Sequence, residues 1–207
     1  MEIYIFENES LVYFKLNENN APVVRSYPYI EILKRNPSTS YKWSLSNLEE
    51  LRKFVNSIRK EKNSFINNFV RPKVLVLFPE DIFESERVFL RILFEGFARE
   101  IYLIEFFHIC QLSIFSISNL VGKKILSLGE RLNQTFTQVE NSNIIDTEIF
   151  DITNMKIQEM EIDLVISNNS EIKYELKSDF FLHGEELRKH LILGSKIYIE
   201  YINSISR

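Results

Sequence analysis

Two periods alternate along the chain. Strand-like runs at Glu2–Phe6 and Leu11–Leu16 flank the polar turn Glu7-Asn8-Glu9, and a third strand falls within Val23–Ile32. After the breaker Asn36-Pro37-Ser38 the spacing turns helical: Leu48, Leu51, Phe54, Val55 and Ile58 recur on one side. Ser46-Asn47-Leu48-Glu49 has the form of a capping box, which starts that helix near Ser46. Val74–Phe78 is uninterruptedly apolar between Pro72 and Pro79, as a strand buried on both faces must be. The helix that follows is expected to bury Val88, Phe89, Ile92, Leu93 and Phe97, with Gly96 near its end in left-handed geometry. Ile101–Ile104 then predicts a strand and Phe106–Leu120 a helix.

The first half therefore reads β-β-β-α-β-α-β-α, and a shorter version begins after Gly122. Lys124–Leu128, Asn133–Val139 and Asn143–Phe150 predict three strands, followed by the mixed connector Asp151–Glu161. A strand at Leu164–Ser167, a short segment near Glu171–Leu176, a strand at Phe180–Leu182 and a closing helix from Gly184 complete it. Leu187, Leu191, Gly194, Tyr198 and Tyr201 share one side of that last helix. Two similar runs in tandem predict a duplicated architecture with units at residues 1–120 and 121–207.

Composition narrows the class. The 207 residues suffice for a real core, and 17 Phe beside only 5 Gly favour packed strands and helices over glycine loops. A net charge of −4 recruits no polyanion, so nucleic-acid binding is not expected. The single Cys110 allows no internal disulfide and suits a reducing cytoplasm. MEIYIFENES lacks the basic and apolar regions of a signal peptide, and the apolar run Ile101–Val121 is broken by Glu105, His108 and Gln111.

Lys73–Glu105, KVLVLFPEDIFESERVFLRILFEGFAREIYLIE, resembles the bacterial actin-like protein MreB in Pro79, Glu84, Glu86, Arg87, Gly96, Ala98, Arg99, Glu100, Tyr102, Leu103, Ile104 and Glu105. Three weaker likenesses follow the same order. Glu2–Phe14 resembles that family's first phosphate hairpin, Gly122–Phe136 its second, and Leu164–Leu176 its adenosine segment, with Leu193-Gly194-Ser195-Lys196 resembling the "LGTGK" beyond it. The resemblance implies an α/β, two-lobed actin-like core, a duplicated βββαβαβα. The small outer subdomains would be reduced or missing between Ile32 and Ser46 and between Asp151 and Glu161.

The family's ATP chemistry needs glycines whose bare N–H groups approach phosphate, and carboxylates that hold Mg²⁺. By the resemblance, the first hairpin's Asp aligns with Tyr4 and its Gly-Thr with Phe6 and Glu7. Glu7 and Glu9 would then face a triphosphate site, where each unpaired like-charge contact at ~4 Å costs about 4 kcal/mol. The second hairpin's Asp aligns with Ser127, and of its Gly-Gly-Gly-Thr only Gly129 survives, followed by Glu130, Arg131 and Leu132. The adenosine glycines align with Asn168, Asn169 and Ser170, and the water-orienting Glu with Phe106, its Pro with Phe107. All four groups are lost together, so neither catalytic residues, cofactor nor metal is expected, and the pocket positions are degenerate.

Other candidates each have a plain structural explanation. Glu105 at a strand–helix junction is an N-terminal helix charge unless a substrate is positioned on it. His183, Glu186 and His190 can share a helix face but have loose metal-ligand spacing. Cys110 reads as core. Arg52, Lys53, Arg59, Lys60 and Lys62, interleaved with Glu49, Glu50 and Glu61, read as a solvated side, with a membrane surface or acidic partner as the alternative.

The resemblance thus implies a non-catalytic actin-like scaffold or interaction protein of bacterial cell shape, cytoskeleton, or envelope or pilus assembly. Its expected partners are proteins, such as an MreB-type filament, an envelope-assembly protein or its own copies. The expected place is the cytoplasm, at most peripheral to the inner membrane. The alternative is a ligand-binding protein or enzyme that reuses the cleft between lobes through Ser127, Glu130, Arg131, Asn168 and Asn169, with atypical ATP binding. Aromatic filling by Tyr4, Phe6 and Phe106 would favour the first, an open polar pocket the second.

Overall fold

The computed structural model describes residues 1–16, 21–28, 41–62, 71–115, 119–138, 145–151, 157, 159–168 and 176–205. They form two compact units, 1–104 and 105–207. The first holds β1 (Glu2–Phe6), β2 (Ser10–Lys15), β3 (Val23–Ser26), α1 (Leu48–Lys62), β4 (Lys73–Phe78), α2 (Glu84–Glu95) and β5 (Glu100–Glu105, whose last residue opens the second unit). The second holds α3 (Phe106–Ile114), β6 (Lys124–Leu128), β7 (Leu132–Gln138), β8 (Ile145–Asp151), β9 (Ile162–Ser167), β10 (Ser178–His183) and α4 (Gly184–Ile205). The sequence alone put residues 106–120 with the first unit. In the structure α3 groups with the second, where it lies beside α4.

The two sheets repeat one design. Their orders are β3-β2-β1-β4-β5 and β8-β7-β6-β9-β10, each with its first three strands antiparallel and its fourth parallel to the first. Two such mixed sheets with helices beside them are the two-lobed actin-like α/β fold, here in reduced form. The connection from β3 to α1 spans residues 27–47 and that from β8 to β9 residues 152–161. Among the described residues, the second unit shows no α-helix between β8 and β9 or between β9 and β10, unlike the first.

In the first unit, Tyr4, Phe6, Val74, Val76 and Phe78 alternate onto the sheet face that packs with Leu51, Val55 and Ile58 of α1 and Leu90, Leu93 and Phe94 of α2. Ile3, Ile5, Val12, Leu75 and Leu77 on the other face are buried as well, which explains why β1 and β4 show no polar alternation. In the second unit, α3 covers one sheet face, with Phe107 stacked on Phe136 at 3.9 Å and Phe115 edge-on to Phe180 at 6.0 Å. The opposite face packs Leu126, Leu128 and Val165 against Ile157, Met160 and Leu176.

Several local expectations need correction. The cap of α1 is Asn47, whose Oδ1 accepts the Glu49 N–H at 2.8 Å, while Ser46 Oγ donates to Lys42 O instead. Gly96 is right-handed (φ −64°), and the left-handed glycines are Gly122 and Gly184. On α2 the buried residues are Glu86, Leu90, Leu93 and Phe94, so Val88 and Ile92 face outward. Glu86 earns its burial by accepting the Phe83 N–H at 2.8 Å, half of a capping box. On α4 Tyr201 is exposed, and Ser195 and Ile199 are buried in addition to Leu187, Leu191 and Gly194.

Candidate functional site

In open α/β sheets, ligands sit beyond the carboxyl ends of the strands where the connections diverge. Here that point lies beyond β1 and β4 in the first unit and beyond β6 and β9 in the second.

At the first, the chain's own side chains fill the space. Phe6 packs edge-on to Trp43 at 5.5 Å, and Trp43 stacks on Tyr41 at 5.8 Å. Tyr41 donates its hydroxyl to Asp81, which follows β4 and is buried together with Glu80. The β1–β2 turn adds Glu7, which accepts the Ser10 hydroxyl, and Glu9, which pairs with Lys42. Burial, and then the charge of Glu7, pushes the Tyr27 phenol well above its ordinary pKa. Glu7 and Glu9 therefore have partners of their own, and their charge is less bare than the sequence suggested. The buried acids after Pro79 add charge that the sequence did not flag. Trp43 lies in a short 3-10 helix, Lys42–Leu45, of the β3–α1 connection, and Tyr41 immediately precedes it.

Tyr4 lies deeper. Its ring packs between Tyr13 and Phe94, and its hydroxyl donates to Glu2 at 2.9 Å. Glu2 in turn holds Arg59 Nε at 3.0 and 3.1 Å, with both side chains 6% exposed. The Arg59 guanidinium also lies 5.2 Å over the Phe97 ring. Tyr4 is thus a core residue that serves a buried ion pair, and its phenol is pushed up by burial and by Glu2.

At the second point one carboxylate and one guanidinium stand at the hairpin turn, beside amide and hydroxyl groups. Gly129 N–H donates to Leu132 O and closes the hairpin, leaving Glu130 and Arg131 half-buried at the turn. Asn168 N–H donates to Leu128 O, extending the β6–β9 ladder. Ser127 pairs with Gln134 and Ile166, so it shares the face that α3 covers. Asn133 and Ser167 flank Leu128 on the opposite face, and all three are buried. Among the described residues, Asn133 Nδ2 has no acceptor. Phe106 is fully buried at the start of α3. Asn169 and Ser170 lie outside the described residues.

The remaining candidates separate. Glu105 precedes α3 without capping it. His183 Nδ1 lies 3.4 Å from Ser167 O, whereas His190 Nε2 lies 3.4 Å from Glu186 and its Nδ1 2.9 Å from Ser113 Oγ. Among the described residues no three such ligands converge on a metal position. Ser113, His190 and Glu186 superficially resemble a hydrolytic triad. Ser113, however, also reaches Cys110 O at 2.7 Å near the carbonyl end of α3, a field that opposes a developing alkoxide. The trio clamps α3 to α4. The Glu186 carboxyl is held below its usual range first by Lys189 and then by His190. Cys110 is buried in α3, as expected of a core residue.

The supposed basic side of α1 is largely engaged. Arg59 is in the core, Arg52 donates to Ile92 O at 3.1 Å and Lys53 pairs with Glu49. No helix among the described residues is long and apolar enough to cross a membrane.

No protein-family model and no curated protein matches the chain. Solved structures similar to it include MreB 5 of Spiroplasma citri bound to AMPPNP, with a TM-score of 0.47 and 11% identity over 71% of this chain and 52% of that one. A non-polymerising MamK mutant bound to AMPPNP gives 0.48 and 9%, over 72% and 53%. The ethanolamine utilization protein EutJ from Carboxydothermus hydrogenoformans gives 0.44 and 7%, over 76% and 54%. The chain spans about half the length of these structures. Values this low say nothing about activity. It is the repeated order of the two sheets that identifies the fold as actin-like.

Proposed function

We propose that this chain is a non-catalytic, actin-like scaffold that works by binding other proteins. One observation supports this above the rest: Phe6, Trp43, Tyr41, Asp81 and Glu80 occupy the strand ends of the first unit, where a nucleotide's phosphates would need bare N–H groups. A triphosphate there would meet buried carboxylates at close range. The fold's relation to MreB and MamK structures suggests service in bacterial cell shape, the cytoskeleton, or envelope or pilus assembly, with an MreB-type filament or an envelope-assembly protein as partner. A cytoplasmic place, at most peripheral to the inner membrane, accords with that service.

A second reading, a small ligand held by the second unit, draws on one fact: the buried Asn133 Nδ2 has no acceptor among the described residues. Titration of the purified protein with ATP and Mg²⁺ in a calorimeter, with thermal shift as a check, tests the first reading. No heat and no stabilisation is the expected result. Micromolar binding would replace the scaffold with a nucleotide-dependent switch or enzyme.

A further inference from the structure

Among the described residues, β3 and β5 edge the first unit's sheet, and β8 and β10 the second's. An edge strand offers unpaired N–H and C=O groups that can template another strand, and charge or cover ordinarily prevents this. Three of these edges have such protection. β3 holds Arg25, paired with Glu61 at 2.9 Å. β5 is half-buried along its length and has Glu100 and Glu105 at its ends. β8 carries Asp146, Glu148 and Asp151, so two copies pairing there would bring carboxylates together. β10 differs. Its middle, Phe180-Phe181-Leu182, holds neither charge nor proline, yet Phe180 is 43% and Phe181 39% exposed. Phe180 lies on the face that α3 covers, edge-on to Phe115, and Phe181 stands beside Val165 on the opposite face. Both faces of the sheet thus end, at this edge, in a half-open aromatic ring.

We propose that β10 pairs antiparallel with the β10 of a second copy of this chain, about a two-fold axis at Phe181. The polar residues that flank the rings select both occupant and register. Centred on Phe181, the pairing sets Asp179 of each copy opposite His183 of the other, and the two-fold makes that contact twice. An imidazole N–H can donate to a carboxylate whether the ring is neutral or charged. Phe181 then meets its own copy, and Phe180 meets Leu182, so apolar faces apolar on both sides of the joined sheet. Centring on Phe180 would set Asp179 opposite Phe181, and centring between the two rings would set it opposite Leu182. Within its own chain Asp179 already acts on Lys123, and His183 Nδ1 lies 3.4 Å from Ser167 O. The exposed Asp–His contacts therefore orient the pair, while affinity comes from the main-chain ladder and the rings. A second copy is one partner of the proposed scaffold, so this pairing rests on that reading.

Analytical ultracentrifugation of the full chain from about 1 to 200 µM tests it, with amide hydrogen exchange followed over the same range. A monomer–dimer equilibrium is expected, with exchange in 178–183 slowing as dimer forms and exchange in β8 unchanged. Phe181→Lys sets two cations against each other at the axis and should weaken the dimer about tenfold or more. Asp179→Arg and His183→Glu should each weaken it, and the two together should restore it. Melting curves matching the unmodified chain confirm that the variants stay folded, and the exchange measurement needs no variant. A monomer throughout the range overturns the proposal, as does a dimer whose β10 amides exchange as fast as the monomer's. A dimer indifferent to Phe181→Lys does the same, and a double variant no better than the single ones overturns the register. Each result is independent of the ATP titration: a monomer that ignores ATP removes only this pairing, and ATP binding removes only the non-catalytic reading.

Discussion

The two units share a strand order but differ in how they are finished. The first is a filled sandwich: α1 and α2 cover one sheet face, the other is buried too, and aromatic rings close the strand ends. The second keeps the sheet with less around it. Its edge strands β8 and β10 are largely exposed, with Ile149 63% accessible, and its face away from α3 carries a small cluster around Leu126 and Val165. The strand ends follow suit, acidic and aromatic in one unit, and in the other a Glu130–Arg131 turn with amide and hydroxyl groups. Duplication of a backbone plan therefore does not duplicate a chemistry.

That comparison can be broken most severely at the Glu2–Arg59 pair, which belongs to the first unit alone. Glu2→Gln leaves a guanidinium buried without its carboxylate and should cost about 3–5 kcal/mol. Trp43 is the chain's one tryptophan and lies in the same core, so its fluorescence transition in denaturant reports this unit directly. An unchanged midpoint would mean that the pair contributes nothing.

A pair of glycines gives the next contrast. At Gly194 on α4, an added Cβ would stand 2.1 Å from Ile109 O of α3, so Gly194→Ala must push the helices apart, at about 3 kcal/mol. At Gly96 the nearest foreign atom to such a Cβ is the Arg52 guanidinium at 3.9 Å. Gly96→Ala should therefore stay within about 0.5 kcal/mol of the unmodified chain. Circular dichroism melts of the two variants check both values, and equal effects would contradict the close α3–α4 approach.

Acid sharpens the comparison with a smaller effect. Burial lowers the His108 pKa from 6.5 to about 4. The unfolded chain then binds a proton that the folded second unit refuses, so stability present above pH 6.5 is lost as pH falls toward 4. The loss is at most about 3 kcal/mol. His108→Phe should flatten that part of the pH–stability curve, read by urea unfolding at each pH, and an unaltered slope would assign it elsewhere.

Much of this fold is written locally. Val74–Phe78 announces a doubly buried strand because no polar residue interrupts it, and the tandem order of strands announces the duplication. What stayed hidden depends on distant partners. Arg59 sits among charged neighbours in sequence and reads as solvated, since Glu2, 57 positions away, is what draws it inside. Val88 and Ile92 read as core because they are apolar and stand among apolar neighbours, although Glu84, Arg91 and Glu95 lie on their side of the helix. Ser46 and Asn47 are both good caps, and one residue of backbone decides between them. Tyr41, Trp43, Glu80 and Asp81 lie in connections without period, so nothing local marked them as the filling of the strand ends. The filling of the first unit's strand ends was therefore not legible in the sequence.

The most direct test of the central claim is the calorimetric titration of the purified protein with ATP and Mg²⁺. Filled strand ends in the first unit predict no heat up to millimolar nucleotide. Saturable binding at micromolar concentration would contradict that, and would mean that these residues leave or form a phosphate cradle after all.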